Sequence, residues 1–153
     1  SNDEIAYPID IWSFRSNDAS AGISMAGVYT TQTSGDRHLD FNIVVPTKNI
    51  SKTKSFKLTK VKISRQSDSG GSTSGHRWWN KHIYEIDSDG NSTQLHFTNT
   101  GTQGYIDDSL WDFNDITLDE NKRYVLRIWV SANSGADAAD NAITDITVYG
   151  KWE

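Results

Sequence analysis

Apolar side chains in this chain recur at every second position and almost nowhere at helical spacing. Tyr124, Leu126, Ile128 and Val130 alternate with Val125, Arg127 and Trp129, and Ile146, Val148, Gly150 and Trp152 with Thr147, Tyr149 and Lys151. A period of two sends successive side chains to opposite faces, so each run reads as a strand with one face in a core. Leu39, Phe41, Ile43 and Val45 repeat the pattern and stop at Pro46. Phe56 and Leu58 are followed by Val61 and Ile63, a slip of one residue that implies a bulge. Trp111 and Phe113 precede Ile116 and Leu118 across a second phase break. Met25, Val28 and Tyr29 suggest an early strand, and 136–142 is the one candidate helical turn. Residues 78–87 and 93–98 flank Asp89-Gly90, a strong hairpin signal. Pairing across that turn predicts a core face of Trp78, His82, Tyr84, Ile86, Leu95 and Phe97. Trp79, Lys81, Ile83, Glu85, Gln94 and His96 then face outward.

Composition agrees with strands joined by turns. The chain has 153 residues, 11% of them aromatic, with two Pro and no Cys. That length predicts one domain over residues 1–153. The strand spacing predicts about eight or nine antiparallel strands in an all-β jelly-roll sandwich. The absence of cysteine excludes disulfides and thiolate chemistry. The net charge of −5 argues against broad nucleic-acid binding. No apolar run approaches the roughly 18–20 residues of a membrane span. The polar start, Ser1-Asn2-Asp3-Glu4, does not read as a signal peptide. His38, His76, His82 and His96 lack metal-site spacing, and the hairpin register sends His82 and His96 to opposite faces. Asp87-Ser88-Asp89-Gly90-Asn91 fits a turn better than a calcium loop. Asp137 and Asp140 are a weak calcium pair.

Three segments have chemical potential. Lys48, Lys52, Lys54, Lys57, Lys60, Lys62 and Arg65 occupy a stretch without acids, while Asp107, Asp108, Asp112, Asp115, Asp119 and Glu120 crowd another. This is either a basic strand beside an acidic loop, an anion site, or charge pairing between subunits. Gly70-Gly71-Ser72-Thr73-Ser74-Gly75-His76-Arg77 partly matches the phosphate-cradling pattern G-x-x-x-x-G-K-[ST]. His76 stands where the lysine belongs and Arg77 where the magnesium-binding hydroxyl belongs, and a strand follows instead of a helix. Nucleotide hydrolysis by that route is therefore not expected, although the backbone amides and Arg77 suit phosphates. Trp79, Trp129 and Tyr149 fall opposite the expected core, as an interface or a sugar platform requires. The crowded carboxylates would suit a small glycosidase only if two faced each other across a groove.

The abrupt start at Ser1-Asn2-Asp3-Glu4-Ile5, the Gly/Ser loop with its basic residue, the lack of cysteine and the closing strand Val148-Tyr149-Gly150-Lys151-Trp152-Glu153 resemble one family. It is that of the C-terminal domains of neck-appendage (tail spike) proteins of small Bacillus-infecting podophages. The resemblance implies a jelly roll like that of tumour necrosis factor, acting as an intramolecular chaperone that trimerises the spike. It implies self-cleavage before Ser1, with Ser1, Asn2 and Glu4 at the cut and residues 1–15 as an N-terminal arm. It also implies ATP binding at 70–77, with ATP driving release. The partners would be two further copies and the upstream spike domains, in the host cytoplasm and not in the mature virion. No multi-turnover enzyme activity is expected. Ser1-Asn2 reads alternatively as a remnant of cloning. A carbohydrate-binding module or receptor-binding tip is the alternative function.

Overall fold

The computed structural model describes residues 4–17, 21–23, 27–29, 37–44, 46, 53–65, 77–99, 109–131 and 142–153. Among these, nearly all regular structure is antiparallel strand: β1 (Ile5–Pro8), β2 (Arg15–Ser16), β3 (Gly22–Ile23), β4 (Val28–Tyr29), β5 (Arg37–Ile43), β6 (Phe56–Arg65), β7 (Arg77–Ile86), β8 (Ser92–Asn99), β9 (Ser109–Thr117), β10 (Arg123–Ser131) and β11 (Ile143–Trp152). The excess over eight or nine strands comes from β2, β3 and β4, which have two residues each. The protein is an all-β sandwich. A front sheet runs β2-β5-β10-β7-β8, and a back sheet runs β3-β4-β11-β6-β9, with β1 also paired to β11.

The alternation read from the sequence fixes which residues meet between the sheets. Leu39, Phe41, Ile43, Leu126 and Ile128 from the front pack with Phe56, Leu58, Val61, Ile63, Ile146 and Val148 from the back in one buried cluster. The phase slip in β6 is a bulge: its pairing with β9 shifts between Leu58 and Lys60. The added residue, Thr59, is buried and donates its hydroxyl to the Tyr149 carbonyl at 3.2 Å. The break after Trp111 falls in the same irregular stretch of β9, which still delivers Trp111 and Leu118 to the core.

The hairpin forms where expected. Gly90 has φ of 84°, and its amide donates to the Asp87 carbonyl at 3.0 Å. A left-handed residue at the end of the turn suits glycine, which has no Cβ to clash. The expected core face of β7, however, is inverted. Ile83 and Lys81 are buried, whereas His82 and Tyr84 lie on the outer face. Large side chains occupy both faces of β7, so alternation alone does not choose between them. The polar inward residues are accommodated at the ends of the sandwich. Lys81 Nζ sits over the Trp111 ring at 5.9 Å, and Glu85 accepts from Tyr124 Oη at 2.8 Å and Lys122 Nζ at 2.9 Å. Opposite it, β8 carries a bulge, so Ile83 pairs with His96 but Tyr84 with Gln94. Leu95 is nonetheless packed against the core, as expected.

Residues 5–15, expected to belong to an arm over 1–15, are woven into both sheets. β1 pairs with β11, and β2 pairs with β5. Between them a turn of 3-10 helix at Ile11–Ser13 is capped by Asp10, which accepts from the Trp12 amide at 3.0 Å. Ile9 and Ile11 enter the core from this segment.

Candidate functional site

The candidate residues divide among the start of the chain, the two outer sheet faces and an apolar recess. Ser1 and Asn2 lie outside the described residues, as do 70–76. Arg77 opens β7 and Trp79 follows within it, but their side chains are not described. Residues 136–141, and with them Asp137 and Asp140, are likewise outside the description. Glu4 is described: its carboxylate lies 3.2 Å from Lys60 Nζ.

That ion pair belongs to the back sheet's outer face, where the separated charge stretches meet. β6 and β9 are hydrogen-bonded neighbours, with Lys60 opposite Asp112 and Lys57 opposite Thr117. Lys151 of β11 lies 3.5 Å from Asp115, and Lys57 lies 3.5 Å from Glu153. Lys60 also sits over the Tyr149 ring at 5.8 Å. Lys57 and Lys60 of the basic strand are thus met by acids of the same chain, and Ser109–Thr117 of the acidic stretch is itself strand. This arrangement weakens the case for an open anion site there.

The front sheet's outer face holds a denser network. Trp129 of β10 lies opposite His38 of β5, and Arg127 lies opposite Asp40 on one side and His82 on the other. Arg127 grips Asp40 bidentately, with Nε to Oδ1 at 2.8 Å and Nη2 to Oδ2 at 2.9 Å. His38 Nδ1 is 3.2 Å from Asp40 Oδ1. Burial pushes the Asp40 pKa up, but hydrogen bonds and charge from His38 and Arg127 outweigh it and hold the carboxyl below its usual range. The Arg127 guanidinium lies over Tyr84 at 5.3 Å and over Trp129 at 5.9 Å. His82 Nδ1 is 2.7 Å from Tyr84 Oη. Desolvation, helped by the Arg127 charge, lowers the His82 pKa. Edge-to-face contacts join His38 and His82 to Trp129, with ring centres 4.9 and 6.2 Å apart.

Trp129 and Tyr149, each expected opposite the core as an interface or a sugar platform, lie on the outer faces of different sheets. The sequence reading missed His38, Asp40 and Arg127 as a group because they meet only through strand pairing. The available signal was phase: His38 and Asp40 fall between Leu39 and Phe41, and Arg127 between Leu126 and Ile128, all on the outward side.

The fourth feature is an apolar recess of about 410 Å³, lined by Ile5, Tyr7, Pro8, Val44, Pro46, Phe56 and Trp152. Its rim is open, with Ile5 47% and Val44 70% exposed. Tyr7 is fixed beside it by donating to the Val44 carbonyl at 3.0 Å and by an edge contact with Phe56. Among the described residues no cluster of His, Asp and Glu is arranged to hold a metal ion. Asp87 is instead occupied by its own turn, accepting from the amides of Asp89 and Asn91 at 2.9 Å each. No helix of the described residues is long and apolar enough to cross a membrane. No family model matches this chain, and no curated protein matches it.

Proposed function

We propose that the chain is a self-associating assembly domain: a trimeric intramolecular chaperone for a phage tail spike, separated from it by self-cleavage before Ser1 and released with bound ATP. The observation that carries this reading is the apolar recess. An open apolar surface on a domain with a charged exterior is best covered by another subunit. The strand order lends support. Counting β1 and the seven long strands in sequence, the sheets pair 1-8-3-6 and 2-7-4-5, as two wound Greek keys do. This favours the jelly-roll form of the sandwich, and with it the tumour-necrosis-factor-like association that the sequence resemblance implies. A compact trimer would bring three spike ends into register, supplying an entropy that a fibrous chain otherwise loses before any contact forms.

Sedimentation and light scattering at micromolar concentration test the association. A trimer is expected, and Val44→Asp should shift it to monomer by placing a charge in the subunit contact. A monomeric parent protein would end this reading. Calorimetry with ATP is expected to show binding that weakens with salt and in Arg77→Ala. With the upstream chain attached, Ser1→Ala and Glu4→Ala should slow self-cleavage, and normal cleavage in both would remove those residues from the site.

A further inference from the structure

We propose that the outer face of the front sheet is a carbohydrate subsite that takes a neutral pyranose or a neutral disaccharide on Trp129 and Tyr84, with Asp40, Arg127 and His82 as its hydrogen-bonding groups. This stands whether or not the chain trimerises.

The outer face of an antiparallel sheet usually carries dispersed, well-exposed polar side chains. Here His38, Asp40 and Arg127 are only 13%, 20% and 29% exposed, because they pack on one another and on Tyr84 and Trp129. None of the network is fully buried among the described residues, so it remains reachable from solvent. Its spacing follows from the ladder. Neighbouring strands are about 4.8 Å apart, and residues on one face repeat about every 6.8 Å along a strand. Trp129, Arg127 and Tyr84 mark three rows across three strands, so the patch measures about 10 Å by 14 Å, room for one or two sugar rings.

The chemistry also fits. Sugars present C–H faces that pack on aromatic rings and vicinal hydroxyls that both donate and accept. The patch offers an indole and a phenol ring, a carboxylate that only accepts, a guanidinium that only donates, and an imidazole that meets Tyr84 Oη through Nδ1 and whose second nitrogen donates or accepts according to its tautomer. Its charge balance selects against ions. Asp40 and Arg127 cancel, and an anionic ligand would have to displace Asp40 from a bidentate contact already made. Arg127, held by Asp40 and 5.3 Å from the centre of the Tyr84 ring, is oriented before any ligand arrives, which lowers the cost of binding. The row of Tyr84 widens the platform with Asn42, opposite Val125, and Gln94, opposite Tyr84. Both are exposed amides able to meet a second ring.

The test is amide chemical-shift mapping of the whole chain with maltose, cellobiose and N,N′-diacetylchitobiose, and with N-acetylneuraminic acid and ATP as anionic arms. The expected result is saturable binding of at least one neutral sugar in roughly the millimolar range. Shifts should centre on residues 38, 40, 82, 84, 127 and 129. Trp129→Ala and Asp40→Asn should each weaken that binding about tenfold or more, and Tyr84→Phe should weaken it less. Mapping on the parent protein decides the location even if a variant fails to fold. No saturable neutral sugar, a response only to the anions, shifts centred elsewhere, or burial of this face by self-association without sugar would each overturn the proposal.

Discussion

Lys81 is the residue whose chemistry conflicts most with its position. It is 5% exposed on the inward face of β7, and burial lowers its pKa below 10.5. From that lowered value up to 10.5 the unfolded chain holds more protons than the folded one, so stability rises with pH across the window. At neutral pH the folded state therefore bears a charging penalty. Lys81→Met keeps the apolar stem and removes the charge. It should stabilise the fold by about 1 kcal/mol at pH 7 and abolish this alkaline rise, as chemical denaturation at pH 7 and pH 10 would show. Asp40 behaves in the opposite sense. Its folded pKa lies below 3.8, so its contribution is complete above that value and disappears as pH falls through the folded pKa. Asp40→Asn should cost roughly 1–2 kcal/mol at pH 7, and the gap from the parent should close on acidification below pH 4. A gap independent of pH would mean that packing, not the ion pair, sets the cost.

At the scale of elements, legibility depended on how unequal the two faces of a strand are. In β5, β6, β10 and β11 the inward side chains are aliphatic or aromatic and the outward ones mostly polar, so alternation located both strand and core. β7 places Tyr84 and Ile86 on one face and Ile83 on the other, and the assignment reversed. Only the packed partners Trp111 and Tyr124 explain why Lys81 and Glu85 can point inward, and no local pattern contains them. The front-face network was hidden for the same reason: Asp40 and Arg127 are 87 residues apart. The β6 phase slip, by contrast, was read as a bulge and is one. Its counterpart in β11 is a register shift between Tyr149 and Gly150. At Gly150 a Cβ would run into the Phe56 ring and come within 2.6 Å of the Lys57 carbonyl. Gly150→Ala should therefore cost about 2 kcal/mol or more through overpacking, measured as a lower denaturation midpoint. An unchanged midpoint would show that both the Phe56 ring and the Lys57 carbonyl give way freely.

For the whole molecule, the decisive fact is that both ends of the described chain lie on one strand pair. β1 runs antiparallel to β11 with Ile5 opposite Gly150, and the Ser55 amide donates to the Glu153 carbonyl at 3.0 Å. A cut before Ser1 would leave this pairing untouched, so release from a spike would not require the sandwich to unfold. Removing more than that should be costly. The Ile9 amide donates to the Ile146 carbonyl at 2.9 Å, and Ile9 and Ile11 lie in the core. Deleting residues 1–11 strips β1 from the edge of β11, uncovers Phe56 and withdraws two buried isoleucines, each contributing about 1.5–3 kcal/mol. The deletion should lower stability by about 3–6 kcal/mol, enough to unfold a domain of ordinary marginal stability. Deleting residues 1–3 leaves Glu4 and its Lys60 contact in place, so the thermal midpoint should stay close to that of the parent. Scanning calorimetry of the two deletions separates the outcomes. A large loss already in the shorter deletion would place an essential contact within residues 1–3, and release by the proposed cut before Ser1 would then have to work against the fold.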